Sequence, residues 1–152
     1  MNEWTYLNKP VLSIDDMQDV EPKVWGFVYH LTLYDKKTNK VEYYYIGKKN
    51  IFSKRKRNFG KKELSLHTDK RKKKYEYIIK ESDWKTYMSS NKFIKDNINK
   101  YNIKREILSF STNDMDLSFQ EAKEIMCQGA LESDKYLNDG VSIRRFGNKI
   151  IN

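Results

Sequence analysis

The sequence predicts a small α/β (α+β) domain built on a three-stranded, mainly antiparallel sheet flanked by helices. Three observations lead there. Residues 24–46 contain two runs of β-branched and aromatic residues separated by a short polar segment, which is a hairpin pattern. A third such run lies at residues 103–110, and residues 83–101 and 118–131 space their apolar side chains at helical intervals. The order is therefore strand, strand, helix, helix, strand, helix, and a sheet that begins with a hairpin is mainly antiparallel.

Each element has its own local reason. Residues 1–22 carry one Lys and five acids around Trp4, Tyr6 and Pro10, show no sustained periodicity, and read as an acidic N-terminal arm. Residues 25–34, WGFVYHLTLY, read as the first strand, and residues 35–40 as a polar turn with Asn39. Residues 41–46, VEYYYI, form the second strand, with Gly47 ending it. Residues 51–60 are a short basic helix candidate and residues 61–80 a basic stretch, part of it loop. In residues 83–101 the side chains of Phe93, Ile94 and Ile98 share a helical face, with Ser90 as the cap. Residues 118–131 show a stripe of Phe119, Ala122, Ile125 and Met126. The central domain spans residues 23–140, and residues 141–152 form a short basic tail.

Composition narrows the function. With 152 residues there is room for one core, and 14% aromatic residues, eleven of them Tyr, are too many for a disordered chain. No apolar run approaches bilayer length and no signal-like start is present, so no membrane partner is expected and the expected compartment is cytoplasmic. Cys127 has no second Cys to pair with, no Cys/His spacing suits zinc, and no phosphate-binding glycine loop occurs. The net charge of +9 is concentrated: residues 48–80 hold fourteen Lys/Arg against three acids. Such a block repels itself, and a polyanion relieves the repulsion. A solvated lysine-rich surface is the plainer reading of the same charge.

At the hairpin the chain resembles the GIY-YIG nuclease superfamily, in particular its small phage-encoded, homing-type members. Gly26-Phe27-Val28-Tyr29 stands for the first signature element, of which the final Tyr is kept, and Tyr45-Ile46-Gly47 matches the second. The family places an essential arginine on the helix after the second element, ten residues past its tyrosine, and here that residue is Arg55. It also carries a Glu on a helix after the third strand and an Asn near the domain end; Glu121 and Asn138 stand at those places. Asp83-Trp84-Lys85-Thr86-Tyr87 with Ser89-Ser90, and Glu121-Ala122-Lys123, are similar to the same members. Phe59 departs from the His or Tyr often found one helical turn after the arginine, and the hairpin is longer than usual.

The resemblance implies a metal-dependent endonuclease that hydrolyses phosphodiester bonds of double-stranded DNA, related to phage or mobile elements and located in the host cytoplasm if phage-encoded. Tyr45 is the first choice and Tyr29 the second for the group that takes the proton of the attacking water. Lys48 is either a phosphate contact or a tuner of the Tyr45 phenol. A guanidinium at Arg55 would bind two oxygens of the scissile phosphate. Glu121 would hold Mg²⁺ or Mn²⁺, although Ser118 and Glu121 also have capping-box spacing. On a helical wheel at about 100° per residue, Glu121 borders the apolar stripe and the rival Glu124 points away. Asn138 would orient the site by hydrogen bonding, or else be a turn residue. Lys49, Lys54, Lys56, Arg57, Lys61, Lys62, Arg71 and Lys72 would contact the nucleic acid. His30 alternates with Tyr29, faces the other side of the strand and reads as structural; His67 is a loop histidine that could act as an alternate base. Selectivity is left to loops, a homodimer or a phage protein partner. The alternative is a non-catalytic DNA- or RNA-binding or regulatory module on the same scaffold.

Overall fold

The computed structural model describes residues 3–17, 24–66 and 73–142. His67, Arg71, Lys72 and most of the basic tail lie outside the described residues. The chain divides into two units, one of residues 1–51 with 83–152 and one of residues 52–82.

The first unit is built on a five-stranded mixed sheet in the order β2-β1-β7-β3-β4. β3 (Gly26–Asp35) lies between β4 (Val41–Asn50) and β7 (Tyr101–Ser111), antiparallel to both. A strand paired on both sides with both faces covered is mainly apolar, and Phe27, Val28, Leu31 and Leu33 are fully buried. The sheet is larger than the three strands expected. The segment read as an arm supplies β1 (Trp4–Tyr6), parallel to β7, and β2 (Lys9–Val11), antiparallel to β1. Their turn uses Leu7 and Asn8 at φ 49° and 65°, the left-handed pair of a tight hairpin without the usual Asn-Gly, so the sequence gives no turn signal. Pro10 is tolerated because β2 is the sheet edge. Trp4 is 1% exposed, and its indole Nε1 donates to the Trp84 carbonyl at 2.7 Å.

Three other boundaries differ from expectation. β4 does not end at Gly47 but runs to Asn50. The helix expected within 83–101 contracts to α2 (Lys92–Asp96); Asn91, not Ser90, caps it by accepting from the Ile94 amide at 3.2 Å. The last helix, α3 (Asp114–Cys127), starts four residues early, because Asn113 accepts from the Asp116 amide at 2.8 Å. Ser118 and Glu121 are therefore interior to α3, and the capping-box reading of Glu121 falls. The buried stripe of α3 is Leu117, Ser118, Ala122 and Ile125, while Phe119 and Met126 are exposed. It packs with Ala130 against Val28 and Ile46 on one sheet face. Gly26 is required there, since a Cβ on it would stand 2.6 Å from Leu117 Cδ2. On the other face Phe27 and Tyr29 meet Trp4 at ring separations of 5.0 and 5.3 Å.

The second unit is an antiparallel ribbon of β5 (Phe52–Asn58) and β6 (Tyr75–Glu81), with α1 (Lys61–Ser65) between them in sequence. The basic helix expected at 51–60 is thus a strand. Lys and Arg are good helix formers, but the Tyr- and Ile-rich partner at 75–79 pairs with this segment residue by residue. That pairing is invisible to local propensity.

His30 occupies the α3 face of β3, as alternation requires, at 9% exposure, with Nε2 3.2 Å from Tyr136 Oη. Burial holds its pKa below the ordinary value, with Glu106 and Glu124 opposing. The fold therefore favours neutral imidazole, and the unfolded chain takes up the proton first. This stability is present above about pH 6.5 and is lost as pH falls through the lower folded value. The thermal midpoint of the wild type should fall more steeply between pH 7 and 5 than that of His30→Gln. Parallel curves for the two proteins would remove His30 as the source.

Candidate active site

Strand pairing sets Tyr29 on β3 opposite Gly47 on β4. Opposed residues share a sheet face, and the Tyr29 ring lies over the place where Gly47 has no side chain. A Cβ on Gly47 would stand 2.5 Å from Tyr29 Cζ and 3.0 Å from Cε2. The glycine of Tyr45-Ile46-Gly47 is thus a seat for the first-element tyrosine. Tyr45, two residues before it, shares the face, with ring centroids 6.3 Å apart, and the Tyr87 ring closes the group 6.1 Å from Tyr29.

The two phenols differ in access. Tyr29 is 1% exposed, whereas Tyr45 is half-buried. Burial pushes the Tyr29 phenol well above its ordinary pKa, Tyr87 and Tyr45 add to the rise, and a hydrogen bond with Ser89 opposes it. Burial also raises Tyr45; hydrogen bonds with Ser90 and Ser89 oppose this, and the charge of Glu121 reinforces it. Ser89, Ser90 and Tyr87 were assigned no site role from sequence. Their segment is fixed from below by Arg105, whose Nη1 donates to the Lys85 and Tyr87 carbonyls at 3.1 and 2.9 Å while the guanidinium lies 4.6 Å over Trp4. Burial lowers the Arg105 pKa to about 10. Its place in alternation with Ile103 and Ile107 on the third strand was the sequence signal.

Glu121 projects from the middle of α3 and is half-buried. Burial raises its carboxyl above the ordinary range, and Lys48 opposes that rise. Lys48 Nζ donates to Ser118 Oγ at 2.6 Å, one turn before Glu121. Alternation along β4 puts Lys48 on the face opposite Tyr45, where it hydrogen-bonds Ser118 of α3 and acts electrostatically on Glu121. Glu121 feels both Lys48 and Tyr45, and so sits within electrostatic reach of both faces of β4. Glu124 does not point away as the wheel suggested: it is half-buried, accepts from Gln128 Nε2 at 3.0 Å and acts on His30.

Asn138 binds backbone. Its Oδ1 accepts from the Ile46 amide at 2.9 Å and its Nδ2 donates to the Ile46 carbonyl at 2.8 Å. With the Lys135–Tyr44 and Leu137–Tyr44 bonds, both 2.8 Å, the segment continues the edge of β4. Asn138 is therefore a positioning residue for Tyr45-Ile46-Gly47.

The first unit thus places Tyr29 and Tyr45 on one face of the sheet and Lys48 on the other, with Glu121 in electrostatic reach of Tyr45 and Lys48 and Asn138 holding the Ile46 backbone. Arg55 belongs to the second unit, on strand β5 and not on a helix. There it lines a depression of about 550 Å³ with Ser53, Arg57, Ile78 and Lys80. Of the expected nucleic-acid contacts, Lys54, Lys56, Lys61 and Lys62 are exposed. Arg57 is shared between Glu63 at 3.1 Å and Glu76 at 2.5 Å. Lys49, in the first unit, pairs with Asp83 at 2.5 Å and lies 4.1 Å over the Tyr87 ring, with a side chain only 17% exposed, so its charge is committed within the fold.

A tyrosine of one strand seated on the glycine of a second-strand Tyr-Ile-Gly, with a helix carboxylate in electrostatic reach of the second tyrosine, is consistent with a GIY-YIG domain. The family model described as "Putative endonuclease segE, GIY-YIG domain" matches residues 4–142, and the chain belongs to that family. No curated protein and no solved structure matches the chain. Among the described residues no helix is long and apolar enough to cross a membrane.

Proposed function

We propose that the protein is a metal-dependent endonuclease acting on double-stranded DNA, of phage or mobile-element type. The observation that carries the reading is the seating of Tyr29 on Gly47 beside Tyr45, with the Glu121 carboxylate within electrostatic reach of Tyr45. Tyr45, the more accessible phenol, orients the attacking water and receives its proton. Tyr29, buried and protonated, holds the Tyr45 ring and the Ser89 hydroxyl in place.

A hard dication fits Glu121. Its ionised form is disfavoured by burial, which a cation relieves. Among the described residues no cluster of three His, Cys, Asp or Glu offers an all-protein cage, and Mg²⁺ or Mn²⁺ characteristically takes one or two carboxylates with water and phosphate oxygens. Bound there, the ion would supply Lewis-acid stabilisation of charge developing on the phosphate and would neutralise Glu121 beside Tyr45. Lys48, hydrogen-bonded to Ser118, ties α3 to β4 and favours the ionised form of Glu121. Arg55 is the residue the family pattern assigns to the phosphoryl oxygens, where a guanidinium fork binds two of them.

Arg55→Ala tests this reading. The residue sits on a ribbon strand with its neighbours exposed, so folding should be unaffected. Plasmid nicking with Mg²⁺ should fall by about a hundredfold or more. Duplex affinity should change little, because one charge among the fourteen of residues 48–80 is a small share of binding. Lys62→Ala should show the reverse: slightly weaker binding, a salt slope smaller by about one, and unchanged chemistry. Cleavage by Arg55→Ala within a few-fold of wild type would take Arg55 out of the reaction. Binding by the wild type without any cutting would leave a non-catalytic module on the same scaffold.

A further inference from the structure

We infer that one face of the β5–β6 ribbon, carrying Tyr75, Tyr77 and Ile79, is the sequence-reading surface of this protein and that it reads duplex DNA in the major groove. This rests on the endonuclease reading above and adds the source of selectivity, which that reading leaves open.

The register fixes the two faces. Lys54 pairs with Ile79, Lys56 with Tyr77 and Asn58 with Tyr75, all on one face; Ser53, Arg55 and Arg57 pair with Lys80, Ile78 and Glu76 on the other. Tyr77 and Ile79 are each 55% exposed. Single exposed apolar residues need no explanation, but here they adjoin on one ribbon face and are bordered by cations. Lys56 Nζ lies 4.0 Å from the Tyr75 ring centroid, Lys73 Nζ 5.7 Å from the same ring, and Lys54 Nζ 5.7 Å from that of Tyr77.

Charge selects a polyanion: residues 52–82 hold twelve Lys/Arg against four acids. Dimensions select the duplex. Seven paired residues at about 3.4 Å each span roughly 24 Å, and two strands about 4.8 Å apart form a ribbon that the major groove, about 12 Å wide, admits. Ring geometry argues against single strands. Stacked bases need open ring faces, whereas Tyr75 and Tyr77 meet edge to face at 5.6 Å and 77°, with lysine heads over both. The chemistry that remains suits base edges: Ile79 and the Tyr77 ring edge against thymine methyls, and Lys54 and Lys56 toward guanine O6 and N7 or the flanking phosphates.

The test begins with selection of bound and cut duplexes from a randomised pool by the wild-type protein in Mg²⁺. Binding of the winning and scrambled duplexes is then compared for wild type, Tyr77→Thr/Ile79→Thr and Lys54→Ala/Lys56→Ala. Threonine keeps strand propensity, and thermal melting checks that each variant folds. The Tyr77/Ile79 variant should lose preference for the winning duplex by about tenfold or more, as expected for lost base contacts, while keeping its affinity and salt slope on the scrambled duplex. Replacing thymine by uracil in the winning duplex should weaken the wild type and leave this variant unmoved. The Lys54/Lys56 variant should bind both duplexes more weakly, with a salt slope smaller by about two. An unchanged preference in the Tyr77/Ile79 variant, a wild type without sequence preference, or tighter binding of single strands than of duplex would overturn the inference while leaving the endonuclease reading intact. A wild type that neither binds nor cuts duplex DNA would overturn both.

Discussion

Glu121→Gln should yield a folded protein that binds DNA and does not cut it. The substitution keeps the size of the side chain and removes its charge. Glu121 lies inside α3, capped elsewhere by Asn113, so no cap is lost. Burial raises the carboxyl pKa in the fold. The protonated form is thus favoured in the folded state, and once pH exceeds the folded value the ionised side chain costs stability instead of adding it. At neutral pH the variant should therefore melt at or slightly above the wild type. Cleavage should fall by more than about a hundredfold, beyond the usual loss from removing an outer-sphere partner of a metal. Isothermal titration of Mn²⁺ should lose its binding signal in parallel. Glu124→Gln is the control, because Glu124 is engaged with Gln128 and His30. If Glu124→Gln is dead and Glu121→Gln cuts, the wrong carboxylate has been chosen. If both cut normally, the proposed metal site is gone.

Gly47→Ala carries the second large effect. The new Cβ would enter the Tyr29 ring, 2.5 Å from Cζ. That ring has little freedom to move, being buried between Trp4, Tyr45 and Tyr87 at 5.3, 6.3 and 6.1 Å. Overpacking of this kind costs about 1–3 kcal/mol or more, which lowers the melting midpoint of a chain this long by several degrees, roughly 3–10 °C. Cleavage should be lost as well, since relief of the clash moves Tyr29 and, through it, Tyr45. Tyr29→Leu withdraws the outer ring atoms, so the double variant Tyr29→Leu/Gly47→Ala should melt above the sum of the single losses, as expected for residues in contact. Strict additivity, or a Gly47→Ala protein that melts and cuts like wild type, would mean that the glycine is not the seat of the ring.

Family membership was legible because it is written in short contiguous pieces. Tyr45-Ile46-Gly47, the ten-residue offset to Arg55 and the β-branched and aromatic runs of the two long strands all survive in linear order. The half-buried position of Glu121 was legible for a less direct reason. The wheel placed it beside the packed face, and it is half-buried there, yet two members of the assumed stripe, Phe119 and Met126, are exposed. The wheel failed for Glu124, because α3 begins at Asp114 and the true stripe starts at Leu117. Ser89 and Ser90 were in plain view as a family-like dipeptide, but nothing local says that a loop will carry them to two tyrosines from other strands.

What the sequence by itself determined is the set of local commitments: two long strands joined by the Asp35–Lys40 turn, a third strand, a final amphipathic helix, and a basic block whose charge needs a polyanion. These follow from side-chain period, turn chemistry and charge density, which act over a few residues. What only the tertiary structure decided is everything that depends on a distant partner. Trp4 belongs to the core because Trp84 and Arg105 meet it there. The segment around Arg55 is a strand because Tyr75–Glu81 pairs with it. Gly47 is a seat and not a stop, because Tyr29 faces it across the sheet. Lys48 meets Ser118 of α3 and not Tyr45, because strand alternation sends the two side chains of β4 to opposite faces and α3 covers only one of them.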